Sequence, residues 1–236
     1  LKPQIEELLS LGTSAGADLV EVFLEKSDNI SLLAEQDDIS NVSPSFGIGA
    51  GIRVFLGKKD GFVSTNDLSK SGLLFALSQA LRMLGLEIGT QNKSSFEGLY
   101  KLKDFGIGKN NWLENSPDLN ESTSKLLEST HLLEIKNKNL QVRRASYSRN
   151  WQEVLIAASD GVFARDIRLH QTVGLNVIAI KNSNRSTSAR RYGSSGNPND
   201  LRNWDIDRSA FELNESAQKM LDAEYVEAGQ MPVVLA

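Results

Sequence analysis

The spacing of apolar residues switches twice between a helical and an extended period. Over residues 3–15, Ile5, Leu8, Leu9 and Gly12 fall on one helical face, Pro3 sits where a first turn tolerates it, and Gly16 is placed to stop the helix. The period then becomes two. Val20, Val22 and Leu24 alternate with Glu21, Phe23 and Glu25, and Ile30, Leu32 and Ala34 alternate with Ser31, Leu33 and Glu35, which predicts two strands joined by a turn at Ser27-Asp28-Asn29. "FGIGAGIRVFLGKKDGFVSTN" predicts a third and fourth strand, hinged at Asp60-Gly61. Between Asp67 and Gly85, Leu73, Leu74, Leu77, Leu81 and Leu84 share a helical face. Residues 1–88 therefore read as helix, four strands, helix.

Residues 89–119 lose periodicity and collect Asn, Gly, Ser and Pro, as a long connection or a small satellite element does. Asn120 is placed to cap a helix running to about residue 138, with Leu126, Leu127 and Leu133 facing inward. Strands are predicted over 140–149 and 151–159, then a turn at Asp160-Gly161, the extended stretch "VFARDIRLHQTVGLNVIAI", a turn at 182–184 and the return "RSTSARRYG". After a polar loop, Leu213, Ala217, Met220 and Leu221 predict a last helix. Residues 120–228 thus repeat the order of the first unit, and "GIRVFLGKKDGFVSTN" can be laid beside "GLNVIAIKNSNRSTSAR". The "MPVVL" run within 230–236 reads as a buried strand opening a further domain. The expected fold class is α+β, a mostly antiparallel, bent sheet with helices packed on one side.

Composition narrows the function classes. The formal charge is −4 and the isoelectric point about 5.4, so no overall field favours nucleic acid or an anionic membrane. No apolar run reaches the roughly 20 residues of a membrane span, and residues 1–20 carry no signal pattern. Cysteine is absent, which removes thiol nucleophiles, thiolate ligands and disulfides, and fits a reducing compartment such as the cytoplasm.

Candidate chemistry is sparse. "GIGAG" at 47–51 resembles a phosphate loop only in composition, since Ile48, Ala50, Ile52, Val54 and Leu56 alternate straight through it as in a strand. Its glycines would bare one strand face for a bend or for the close approach of another chain, making Gly47, Gly49, Gly51 and neighbouring Arg53 the candidate substrate-binding residues. Arg143, Arg144, Arg165, Arg168, Arg190 and Arg191 recur on predicted strands, where Asp160, Asp166 and nearby glutamates can pair with them. His131 and His170 are the only histidines, and neither has ligands at metal-site spacing along the chain. No Gly-x-Ser-x-Gly elbow or Ser/His/Asp arrangement can be placed. No catalytic or metal-ligating residue is assigned.

The ordered set Gly47-Ile48-Gly49, Gly51-Ile52-Arg53, Gly61-Phe62, Ser159-Asp160-Gly161 and "AGQMPVVLA" resembles the TldD/PmbA, or modulator of DNA gyrase, family, and more closely its TldD branch. The resemblance implies an N-terminal domain of a TldD-like metallopeptidase. In such proteins a metal-binding His-Glu-x-x-x-His helix follows "MPVVL" and a Cys ligand comes much later, so no cofactor is expected in this span and zinc is expected in the parent protein. It also implies unfolded or extended peptide substrates, with this domain shaping access to them, and a homodimer or a heterodimer with a PmbA-like paralogue. The alternative is a non-catalytic PmbA-like partner or a regulator of DNA gyrase, towards which "VSTNDLS" leans.

Overall fold

The computed structural model describes residues 2–89, 103–104, 118–136, 140–196, 202–224, 227–232 and 234. Helix α1 (Lys2–Ser14) leads into strands β1 (Leu19–Glu35), β2 (Asp38–Leu56) and β3 (Lys59–Thr65), then α2 (Lys70–Arg82). After a two-residue strand β4 (Lys103–Asp104), helix α3 (Leu119–Lys136) precedes β5 (Leu140–Ala158), β6 (Val162–Lys181) and β7 (Asn184–Ser195), and α4 (Ile206–Leu221) closes the order. The α+β class holds, and the internal order is helix, three strands, helix, twice.

The long strands form an antiparallel sheet, β3-β2-β1-β5-β6, with β7 on the outer side of β6 and β4 pairing in parallel with β6's first residues. The first strands of the two copies, β1 and β5, pair at the centre along Glu21–Glu35. The hairpins compared in the sequence, β2–β3 and β6–β7, therefore occupy equivalent outer positions. Among the described residues, all helices cover one face. Even-numbered residues of β1 supply both cores: Val20, Val22 and Leu24 pack with Ile5, Leu9, Leu73, Leu77 and Leu81, while Leu32 and Ala34 pack with Leu126, Leu133, Leu213, Ala217 and Leu221. Odd-numbered residues of β1 are left on an open face.

This arrangement explains the expectations that fail. Ser27-Asp28-Asn29 is not a turn but the middle of β1, and the break expected near Asn150 is the middle of β5. Both stretches are polar because they lie between the two helix-covered cores. Between the cores Arg149 reaches Asp28 at 2.5 Å and Lys26 stands 5.8 Å from the Trp151 ring centre, and on the open face Asn29 donates to Ser45 at 3.3 Å. The hairpin turns at Gly57-Lys58, where Gly57 has φ 59°, and Asp60-Gly61 belongs to β3. Gly61 has another use, since a Cβ there would lie 2.3 Å from the Ala80 carbonyl oxygen of α2. The strand passes that close to the helix only without a side chain.

Other expectations divide similarly. Ser159-Asp160-Gly161 is a turn, Gly161 having φ 105° and Ser159 closing the end of β1 by a hydrogen bond from the Val20 amide to its Oγ at 3.0 Å. Helix α3 starts before Asn120, and the Asp118 carboxylate accepts from the Glu121 amide at 2.7 Å. In α4, Leu213, Ala217 and Leu221 are buried but Met220 is exposed, because the inward face is centred on Ala210, Leu213, Ala217 and Leu221. Within "MPVVL" the described Met231 and Val234 are exposed and outside any strand. Most of the expected connection 89–119 lies outside the described residues, as do residues 197–201 of the polar loop.

Tyr147 gives the helical face a pH signature. It is buried in the second core, where its hydroxyl donates to Gln171 at 3.1 Å, and burial raises its phenol above the ordinary 10.0. A raised acid group is neutral in the folded state while the unfolded chain releases its proton earlier. Its contribution is thus complete below about pH 10 and is lost as pH rises through the folded value. Urea midpoints followed from about pH 8.5 to 11 should fall more steeply for the wild type than for Tyr147→Phe, and parallel curves would refute this.

Candidate functional site

Register builds a trough on the open face. In β2, Gly47, Gly49 and Gly51 stand opposite Ser27, Glu25 and Phe23 of β1, and on the other side Gly51 and Arg53 stand opposite Ser64 and Phe62 of β3. Three glycines in alternation leave a floor without side chains. The walls are Phe23, Glu25 and Ser27 on one side and Phe62, Ser64 and Asn66 on the other, enclosing about 300 Å³. The floor has little slack: a Cβ on Gly47 would lie 2.7 Å from Ser27 Oγ, and one on Gly51 3.0 Å from the Phe62 ring. A side chain on this floor would press on the walls, chiefly on Ser27 and Phe62, and all three φ angles are ordinary.

Beyond the trough, β2 is an open edge. β3 ends opposite Ala50, and residues 38–49 of β2 have no outer partner strand among the described residues. A two-residue hairpin places a hydrogen-bonded pair at Leu56 and Lys59, so even-numbered residues of β2 direct their backbone groups outward. Phe46 and Val42 therefore offer both N–H and C=O to an incoming strand, while Pro44 offers only its carbonyl. Proline is compatible with such an edge, where its missing N–H breaks no ladder. Phe46 is 63% exposed, a large apolar side chain beside free backbone groups.

Of the four candidate residues, the structure brings Gly47, Gly49 and Gly51 together and leaves Arg53 just outside the lining. Arg53 Nε bonds Asp60 at 2.9 Å and its guanidinium carbon lies 5.0 Å from the Phe55 ring centre. Sequence reasoning missed Phe23, Glu25, Phe62 and Asn66. Period-two alternation put Phe23 and Glu25 on one strand face, but only the register shows that this face meets the glycines.

The arginines are mostly held. Arg144 pairs with Glu35 at 2.9 Å, Arg168 with Asp166 at 2.5 Å, and Arg165 Nε with Glu153 at 2.6 Å. Asp160 instead accepts from the Val162 amide. His131, read as lacking ligand partners along the chain, is joined in space by Asp37 and Glu134, with one possible ligand atom of each within 4.8 Å of the others. The fold makes this cluster by bringing the β1–β2 turn against α3. It does not fit a catalytic metal centre. Arg143, itself nearly buried, already engages Glu134 at 2.8 Å and Asp37 at 3.4 Å, so a cation would have to displace a guanidinium. All three side chains are also exposed. His170 lies on the open face, opposite Asn150 and Ser195.

Residues 20–84 match the family model described as PmbA/TldA metallopeptidase domain 1, and residues 113–221 match the one for the PmbA/TldA metallopeptidase central domain. The chain belongs to the PmbA/TldD family. The first match covers β1 to α2 and leaves α1 outside it, whereas the second covers α3 to α4 and so takes in the whole second copy of the internal repeat. Solved structures share the fold. A Thermotoga maritima protein named as a modulator of a DNA gyrase superposes with a TM-score of 0.74 at 13% identity, covering 97% of this chain and 50% of its own. TldE from Thermococcus kodakarensis gives 0.67 at 20% identity, covering 91% and 47%, and a Bacteroides thetaiotaomicron protein named as a modulator of DNA gyrase gives 0.66 at 14%, covering 97% and 52%. The chain spans about half the length of these relatives. In PmbA/TldD terms, the trough and open edge lie within the first-domain match and the Arg143 cluster bridges the two matches. No helix among the described residues is long and apolar enough to cross a membrane.

Proposed function

We propose that this chain is the substrate-receiving portion of a TldD-type metal-dependent peptidase that acts on unfolded proteins or extended peptides. The observation that carries this reading is the glycine-floored trough continuous with the open edge of β2. An extended peptide added to that edge would bond Phe46 and Val42 through main-chain groups, which every sequence possesses, while alternate side chains entered between Phe23 and Phe62. Recognition of that kind selects for absence of structure rather than for sequence. The metal, which we take to be zinc, and the hydrolytic groups would be carried by the remainder of a longer protein. That protein would act in the cytoplasm as a homodimer or with a PmbA-like paralogue.

Hydrogen exchange with a saturating unstructured peptide provides the test. The amides of Val42 and Phe46 should slow by about tenfold or more, and Pro44 provides an internal gap in the pattern. Unchanged exchange along residues 38–49, with the peptide demonstrably bound, would move substrate handling elsewhere. The second reading, a non-catalytic PmbA-like subunit or a regulator of DNA gyrase, draws on the likeness to TldE and to the proteins named as gyrase modulators. The net charge of −4 argues against direct DNA contact in that role, and a gel shift at physiological salt should show none.

A further inference from the structure

A second pocket on the open face, about 430 Å³, lies among the central and second-copy strands. Two adjacent cross-strand rows form it. One runs Asn41, Leu33, Ser146, Gly174, Arg191 across β2, β1, β5, β6 and β7, and the next runs Ser31, Ser148, Thr172, Gly193. Its polar lining is Ser31, Asn41, Ser146, Ser148, Thr172 and Arg191, with no carboxylate. Gly174 shapes it. With no side chain at that position, the Arg191 stem passes 3.8 Å from where a Cβ would be, leaning over β6 towards Ser146, whose Oγ lies 2.8 Å from the same point.

Arg191 differs from its neighbours in being uncommitted. On the same face Arg53, Arg144 and Arg168 each hold a carboxylate, whereas Arg191 has no ion-pair or hydrogen-bond partner among the described residues. Arg185 is likewise unpaired but stands opposite Ile180, away from the pocket. An unpaired guanidinium surrounded by four hydroxyls and a carboxamide is a donor-rich, acid-free concavity, complementary to an anion. A single cation in the lining, within an acidic chain, suits a monoanion better than a phosphate dianion. The planar fork of a guanidinium matches the two oxygens of a carboxylate, with hydroxyls left to bond the remaining lone pairs.

We propose that this pocket binds the C-terminal carboxylate of an extended peptide lying on the open face, an assignment that rests on the peptide reading above. Glycines at 174 and 193 give the peptide end room beside Arg191, and Ser31, Ser148 and Thr172 complete the oxygen-binding shell.

The test uses the whole chain and three short probes observed by amide NMR: N-acetyl-trialanine as the free acid, its C-terminal amide, and N-acetyl-Ala-Glu-Ala amide, which carries only a side-chain carboxylate. The free acid should shift resonances of residues 146–148, 172–174 and 191 and bind about tenfold more tightly than either amide. Arg191→Gln should abolish that preference, while Arg185→Gln, which removes the same charge from the same strand, should retain it. Circular dichroism identical to the wild type would show that both variants fold. Equal binding of acid and amide, or equal loss in both variants, would overturn the site. Equal binding of the Glu probe would overturn the terminal-carboxylate assignment. These probes are too short to span to the trough, so their binding here, together with exchange at Val42 and Phe46 that stays unchanged under the saturating unstructured peptide, would retain this site and reject the trough.

Discussion

Truncation of Leu77 or of Leu213 to alanine is expected to lower the unfolding free energy by about 2–5 kcal/mol in either case. Both are fully buried, Leu77 in the core under α1 and α2 and Leu213 in the core under α3 and α4. Each removal takes apolar atoms from contact and leaves a cavity that the neighbouring leucines fill only partly. The two cores share no side chain, yet they should fail together. β1 and β5 run unbroken beneath both, paired from Glu21 with Ala158 to Glu35 with Arg144. A strand cannot keep half of its ladder on a core that has dissolved without exposing the backbone groups of the other half. Each variant should therefore show one cooperative urea transition with an unchanged slope. A second transition, or exchange accelerated only in residues 2–89 for Leu77→Ala, would mean that the copies unfold independently.

That coupling also explains what could be read in the sequence. Helices α1, α2 and α4, the alternation of β1 and β2, and the α+β class follow from periodicity, because each element keeps one face in a core. The polar centres of β1 and β5 were opaque for the converse reason. Lys26-Ser27-Asp28-Asn29 has the composition of a turn, and nothing in one strand reveals that it lies between two helix pairs rather than beyond the sheet. The candidate site divides similarly. Alternating glycines marked Gly47, Gly49 and Gly51 as a bare strand face, but Phe62 and Asn66 became walls only through a register set by a turn at Gly57-Lys58. The Asp37, His131 and Glu134 cluster depends on bringing Asp37 to a helix that lies far along the chain, and the Arg191 pocket depends on five strands. No local spacing encodes either.

The placement of that turn leads to a pair of mutational effects of very unequal size. Gly61→Ala should destabilise the chain by about 3 kcal/mol or more. The added methyl would lie 2.3 Å from the Ala80 carbonyl oxygen, 3.2 Å from its carbon and 3.2 Å from Met83 Cβ. A flexible side chain could step aside, but the first two atoms are helix backbone. Moving them would pull Ala76, Leu77, Ala80 and Leu81 out of the first core, where all four are buried. Gly57 is the contrasting case. Its φ of 59° is left-handed, but nothing lies within 4 Å of its missing Cβ. Asparagine tolerates that backbone region, so Gly57→Asn should cost less than about 1 kcal/mol. Were Asp60-Gly61 the hairpin turn, the order would reverse, with Gly61 the tolerant position and Gly57 an ordinary strand residue. Urea titration of the two variants decides between the registers. A greater loss at Gly57 would also remove Phe62 from its place over Gly51, and with it one wall of the trough.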